Sequence, residues 1–168
     1  RDPVVVLCAV RIVEVDTPGM PVSDLKDISV AGGEIVSVDA HATPAQGALD
    51  CGGRYLLPGL VNAHDHLYSK ELRNPAPGMD IAAMRRHIDT RDEAATLAVM
   101  LSNAWRAMAE GVLVIRDLGA RHGLNTRLAA VFSQGLLNGP HVVASGRPLV
   151  MTGGHVWTFG READGPVD

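Results

Sequence analysis

Cysteine is scarce in this sequence, with two in 168 residues. Cys8 and Cys51 stand alone in strand-like contexts without Cys-x-x-Cys spacing, which argues against a disulfide scaffold and a thiolate zinc site and predicts buried, reduced thiols. An excess of either charge is also missing. Lys and Arg total 15 against 19 Asp and Glu, a net charge of -4, so composition favours neither a nucleic-acid partner nor an anionic membrane surface. Long apolar runs are missing too. The stretch from Val4 to Val10 is far below the roughly 20 residues of a membrane span, and it has no basic leader or small-residue cleavage motif. No membrane association and a cytoplasmic location are the default expectations. Internal repeats and low-complexity tracts are lacking, and no Gly-x-Gly-x-x-Gly follows the first strand, which removes support for a dinucleotide-binding fold.

What is present is an ordinary globular composition, 46% hydrophobic, arranged in two styles. Residues 1–56 read as short strands and turns. Val4 to Val13 is β-rich and continuous enough to be buried on both faces, until Asp16-Thr17-Pro18-Gly19 breaks it. Asp27 to Val30 and Glu34 to Val38 alternate apolar with polar around Ala31-Gly32-Gly33, a hairpin signal. A further strand pattern runs from Leu49 to Tyr55.

From residue 57 to 168 the rhythm becomes strand, loop, helix. A long loop, Tyr68 to Asp89, is expected to hold a short helix near Met79 to Arg86. Thr90-Arg91-Asp92-Glu93 reads as a capping box with Thr90 as N-cap. The helix that follows carries Ala94, Leu97, Ala98, Leu101, Ala104, Trp105 and Met108 at helical spacing and reaches Gly111 at its C-terminal end. Val112 to Ile115 is a strand, Asn125 to Leu137 a second helix with Leu128, Val131, Phe132 and Leu136 on one face, and His141 to Gly146 a third strand. Such alternation builds a parallel sheet, either doubly wound or barrel-shaped.

The chemistry is concentrated at Pro58-Gly59-Leu60-Val61-Asn62-Ala63-His64-Asp65-His66. Leu60-Val61 is expected to be a short buried strand, with His64 and His66 on one face of its end and Asp65 on the other. Two imidazoles so placed suit Zn and similar ions. The location also favours a barrel, whose active sites lie at the C-terminal ends of strands.

This string resembles the first barrel strand of the metal-dependent amidohydrolase superfamily. Gly111-Val112-Leu113-Val114-Ile115-Arg116-Asp117 is similar to its second-strand segment, although Leu113-Val114 stands where threonines are usual. Gly139-Pro140-His141 through Thr152-Gly153-Gly154-His155 resembles the corresponding segment of the prolidase-like and dipeptidase-like branch, and of imidazolonepropionases. The resemblance implies an α/β chain: a small β-sandwich-type domain over 1–56 and about the first three β/α units of a TIM (β/α)8 barrel over 57–168, the barrel being incomplete. It also implies one or two divalent metals, commonly Zn. His64 and His66 would be ligands, while a bridging Lys, two further His and an Asp would come from later strands outside these residues.

The expected activity is hydrolysis of a C–N bond in a peptide, amide or cyclic amide by a metal-activated water. His155 is a candidate catalytic or substrate contact, near the reacting carbonyl or a substrate carboxylate, and Tyr68 a candidate substrate contact. Asp65, Asp117 and His155 are local candidates for a third ligand, although Asp65 faces away by alternation and Asp117 reads as structural. Lys70 and Arg85-Arg86-His87 could attract an anionic group. Two ligands fall short of the three a catalytic zinc usually keeps, so this stretch alone is expected to be inactive. Arg1 is no initiator methionine and the Gly/Pro-containing end reads as a loop, so the rest of the barrel is expected from a covalent continuation or a second chain, with homo-oligomers also expected. The rival expectation is a non-catalytic fragment or assembly subunit that pairs with a partner through its open sheet edge.

Overall fold

The computed structural model describes residues 3–44, 46–72, 77, 78 and 80–166. It separates into two compact units, Arg1–Pro58 and Gly59–Asp168.

The first unit is a five-stranded sheet built from β1 (Val5–Val13), β2 (Val22–Ala31), β3 (Glu34–Ala40), β4 (Leu49–Asp50) and β5 (Tyr55–Leu56), in the order β3-β2-β1-β4 with β5 also on β1. The β2–β3 hairpin closes on Gly32 and Gly33, whose φ of 59° and 81° give the two left-handed positions that a tight hairpin of this twist requires. β1 and β2 are antiparallel with a register shift between Leu7 and Val10, and Ala9 sits in that bulge at φ 54°. Only Cys8, Ala9 and Val10 of β1 are buried, so the strand is not enclosed on both faces along its length as its apolar run suggested. Val5 is exposed and the remaining residues of the strand are half-buried. Cys8 and Cys51 are both free thiols; Cys8 is buried, but Cys51, in the turn after β4, is only half-buried.

The second unit opens with β6 (Leu60–Asp65), followed by a short 3-10 helix, Leu67–Leu72, then α1 (Ile81–Thr90) and α2 (Glu93–Ala109). β7 (Val112–Asp117), α3 (Leu124–Ser133) and β8 (His141–Ala144) continue the alternation, and β9 (Leu149–Val150) pairs in parallel with β10 (Arg161–Glu162). β6, β7 and β8 form a parallel three-stranded sheet in chain order, which is the opening of a TIM-type barrel and not a closed one. Ile115 and Val142 pack with Met100, Ala104, Ala107, Leu124 and Leu128 into one core between sheet and helices. Burial of these apolar groups at roughly 25 cal/mol per Å² is what holds the layers together. Leu60 and Val61, expected to be buried, are 55% and 65% exposed. As neighbours on a strand they point to opposite faces, so both faces of β6 are open at its start and burial begins only at its C-terminal end, at Asp65.

Helix boundaries moved for local reasons. Thr90 ends α1, its hydroxyl bonding back to the carbonyls of Arg86 and His87, while Asp92 caps α2 by accepting from the Ala95 N–H at 2.8 Å. The fully buried row of α2 is Thr96, Met100, Ala104 and Ala107, whereas Ala94, Ala98 and Trp105 are exposed. The centre of the apolar face is thus rotated from the one predicted. Trp105 instead donates its indole N–H to the Asn138 carbonyl at 2.7 Å. α3 stops at Ser133 because Gly135, at φ 68°, turns the chain four residues before Gly139-Pro140. Leu136 therefore lies outside the helix and is 66% exposed. The short helix expected from Met79 is α1; Met79 itself lies outside the described residues.

Candidate metal centre

His64 and His66 occupy the C-terminal end of β6, with ring centroids 5.5 Å apart at an interplanar angle of 74°. Asp65 between them is fully buried. Strand alternation produces this division, putting two rings on the accessible side and one carboxylate beneath.

The two rings are held differently. His64 is exposed. His66 is half-buried, with Nδ1 3.2 Å from the Gly119 carbonyl oxygen, and the rings of Tyr68 and Phe159 meet it edge-on at 6.5 and 6.2 Å. Tyr68 and Phe159 also contact each other at 5.0 Å and are 6% and 5% exposed. Tyr68 therefore lies in the core behind His66.

Below the pair lies a polar layer that sequence reasoning did not assemble. One Asp65 oxygen accepts the His66 N–H at 2.7 Å; the other takes the Asn62 amide at 2.8 Å and lies 3.2 Å from Lys70 Nζ. Lys70, considered for an anionic substrate, is engaged in this ion pair. Asp117, at the end of β7, accepts the Leu67 N–H at 2.9 Å through one oxygen. Its other oxygen accepts the Gly119 N–H and the Asn125 side-chain amide, both at 3.0 Å. Burial pushes the Asp117 carboxyl up, and these hydrogen bonds oppose the shift in part. Asp65 and Asp117 thus both spend their oxygens on protein donors. An Asp at a strand end followed by Leu118-Gly119 was the visible signal, but its partners lie 50 and 8 residues away.

His155 is exposed and lines an open recess of about 410 Å³ with Gly153, Gly154, Val156, Trp157 and Thr158. The turn is tied from below. Asp164 accepts from both the backbone N–H and the hydroxyl of Thr152, and Glu162 accepts the Gly153 N–H at 2.8 Å. Those donors hold the Asp164 carboxyl below its ordinary value. Phe159 of the same segment is the residue that reaches His66. Arg86 is exposed, 3.9 Å from Asp80, and His87 is exposed; the Arg85 side chain lies outside the described residues.

Among the described residues no group of three or more His, Cys, Asp or Glu could hold a metal ion. The donor set is two neutral-capable imidazoles, one with its Nδ1 already engaged by a carbonyl, which fits two corners of a zinc-type site.

No family model matches the sequence, and no curated protein does. Solved structures do match. A Xaa-Pro dipeptidase with methionine bound in its active site superposes with a TM-score of 0.70 at 18% identity, over 96% of this chain and 37% of that one. The fold is the amidohydrolase fold. A prolidase complexed with N-methylphosphonate-L-proline gives 0.69 at 20% identity over 91% of this chain and 34% of its own length. The A. niger ochratoxinase gives 0.63 at 20% identity over 93% of this chain and 34% of its own length. The chain thus spans little more than a third of the length of these chains. No helix among the described residues is long and apolar enough to cross a membrane.

Proposed function

We propose that this chain supplies the first two metal ligands, His64 and His66, of a metal-dependent hydrolase that cleaves C–N bonds in dipeptides or other small amides. The observation that carries the reading is the adjacent ring pair, 5.5 Å apart, at the end of the first parallel strand, in a fold shared with hydrolases. A prolidase-like or dipeptidase-like substrate is supported by the Xaa-Pro dipeptidase and the prolidase among the similar structures.

In this reading His64 and His66 present one nitrogen each to a divalent ion, most suitably Zn, one or two ions completing the site with residues from later barrel strands. Such an ion supplies Lewis acidity, lowering the pKa of an attacking water and polarising a scissile carbonyl. The Gly119 carbonyl fixes the proton of His66 on Nδ1. Tyr68 and Phe159 close the core side of His66 against water. His155, on its glycine-rich turn, contacts the substrate carbonyl or carboxylate. The remaining strands come from a covalent continuation or a second chain, and the bare edge of the three-stranded sheet suits such pairing.

Replacing both His64 and His66 with alanine should remove one zinc equivalent from the assembled protein, measured by elemental analysis; unchanged zinc content would falsify the ligand assignment. Hydrolysis of a Xaa-Pro dipeptide panel by the same assembly tests the substrate class. Metal content without turnover of any amide would favour the rival reading, an assembly subunit.

A further inference from the structure

Asp117 joins two places that matter to one ring. One of its oxygens holds the N–H of Leu67, the residue directly after His66, and the other holds the N–H of Gly119, whose carbonyl faces His66 Nδ1. A single buried carboxylate therefore sets both the backbone that carries the imidazole and the acceptor that the imidazole meets.

We propose that Asp117 is a positioning residue that, through the Gly119 carbonyl, locks His66 in the Nδ1–H tautomer and so aims an unprotonated Nε2 at the metal. The proposal rests on His66 being a ligand, as read above. A backbone carbonyl can only accept, so a neutral imidazole beside it must carry its proton on the near nitrogen. The far nitrogen then keeps the lone pair a metal needs, and partners of this kind fix ring orientation in metal sites.

The glycine is part of the device. Gly119 has a φ of 142°, and a Cβ there would lie 2.8 Å from Pro148 Cδ. Only glycine brings its carbonyl to His66 in this conformation without displacing Pro148. Two further bonds brace the arrangement: Leu118 N–H donates to the Asp65 carbonyl at 2.9 Å, and Asn125 holds the Asp117 oxygen that serves Gly119. Tyr68 and Phe159, edge-on to the ring, limit its rotation. Asp117 touches neither substrate nor metal in this scheme; it acts through residue 119.

The test is direct in the metal-free chain. Long-range proton–nitrogen spectra of the 15N-labelled protein at about pH 8.5, where imidazole is neutral, read each histidine's tautomer, and exposed His64 is the internal reference. Wild-type His66 should be Nδ1–H. Asp117→Asn, which must turn an N–H toward one of the two backbone donors, should shift His66 toward the Nε2–H form that free imidazole prefers. Gly119→Ala should do the same with the carboxylate itself retained, which keeps the proposal open to test if Asp117→Asn does not fold. Asn125→Ala, which removes a brace but neither backbone bond, should leave the tautomer in place.

A wild-type His66 in the Nε2–H form, or an unchanged tautomer in Gly119→Ala, would overturn the proposal. So would an equal loss in Asn125→Ala, since tautomer would then follow general loosening. Zinc titration separates this from the ligand reading. Where the wild-type protein binds zinc, Asp117→Asn should weaken it roughly 10–100-fold, and unchanged affinity overturns the positioning role. A wild-type protein assembled with the later barrel strands that shows the tautomer pattern but takes no zinc through His66 supports the positioning and overturns the ligand reading.

Discussion

Two aspartates, one in each unit, do the same mechanical job in opposite surroundings. Asp27 of the β-domain accepts the Ala9 N–H at 3.0 Å, the Ala42 N–H at 3.1 Å and the His41 ring at 2.8 Å. Asp117 of the barrel unit accepts the Leu67 and Gly119 N–H groups and the Asn125 amide at 2.9 to 3.0 Å. Each is a three-donor clasp joining segments remote in sequence. The Asp27 side chain is 19% exposed, whereas Asp117 is fully buried. That difference reverses their acid behaviour. Hydrogen bonds, led by His41, hold the Asp27 carboxyl below its ordinary value, while burial dominates at Asp117 and raises it despite an equal number of donors.

The comparison breaks most visibly when each clasp is deleted. Asp117→Ala leaves two buried backbone N–H groups without an acceptor, at about 1–3 kcal/mol each, so the barrel unit should lose roughly 2–6 kcal/mol. Urea unfolding read by tryptophan fluorescence reports on that unit alone, because both tryptophans, Trp105 and Trp157, lie in it. Asp27→Ala should cost its unit less, since one vacated donor, the Ala42 N–H, belongs to an exposed residue where water can replace the carboxylate, while only the Ala9 N–H is left at a buried residue. Hydrogen exchange at the Ala9 and Ala42 amides would show it. Equal losses in the two variants would mean that solvent access is not what distinguishes the clasps.

Acid should sharpen the contrast. Asp27, with a lowered folded-state pKa, contributes stability that is present above its ordinary value and lost as pH falls through the folded-state value. Asp117 runs the other way: its contribution is fully present below the ordinary aspartate value and is lost as pH rises through the raised one. As pH falls through the raised Asp117 value toward the ordinary aspartate value of about 3.9, the barrel unit should therefore gain stability relative to Asp117→Asn. Below about pH 4, the difference between wild type and Asp27→Ala should shrink. Urea midpoints of the metal-free chain across this range check both signs.

These clasps also mark what a sequence can and cannot disclose. The Gly32-Gly33 hairpin was legible because turn chemistry is local, and the strand–helix alternation from Val112 to Ala144 because each element is long and periodic. The His64/His66 pair was legible because two-residue alternation needs no tertiary information. Thr90 and Asp92 compete for one helix start, and the choice fell to Asp92 once the preceding helix had used Thr90 as its last residue. Exposure of Leu60 and Val61, which point to opposite faces, depends on where along β6 packing begins, and a strand pattern does not encode that by itself. The Asp117 clasp needs Leu67, Gly119 and Asn125 together, and that meeting exists only after β6, β7 and α3 have packed.

The finest distinction lies in how much of the Asp27 clasp belongs to its histidine. His41 and Asp27 are both partly solvated, at 26% and 19% exposure, and pairs in such surroundings add little to stability at neutral pH. His41→Ala should accordingly leave the neutral-pH urea midpoint nearly unchanged, since the Ala9 and Ala42 N–H groups still bond the carboxylate. The histidine is nonetheless the largest influence holding the Asp27 pKa down. Without it that pKa should rise toward the ordinary value, and the acid-side loss of stability should begin at a higher pH, although the backbone donors keep part of the shift. Carboxyl-carbon NMR of Asp27 measures the titration directly. An unmoved Asp27 titration in His41→Ala would assign the depression to the two backbone amides and make the Asp27 clasp, like that of Asp117, one governed by backbone donors.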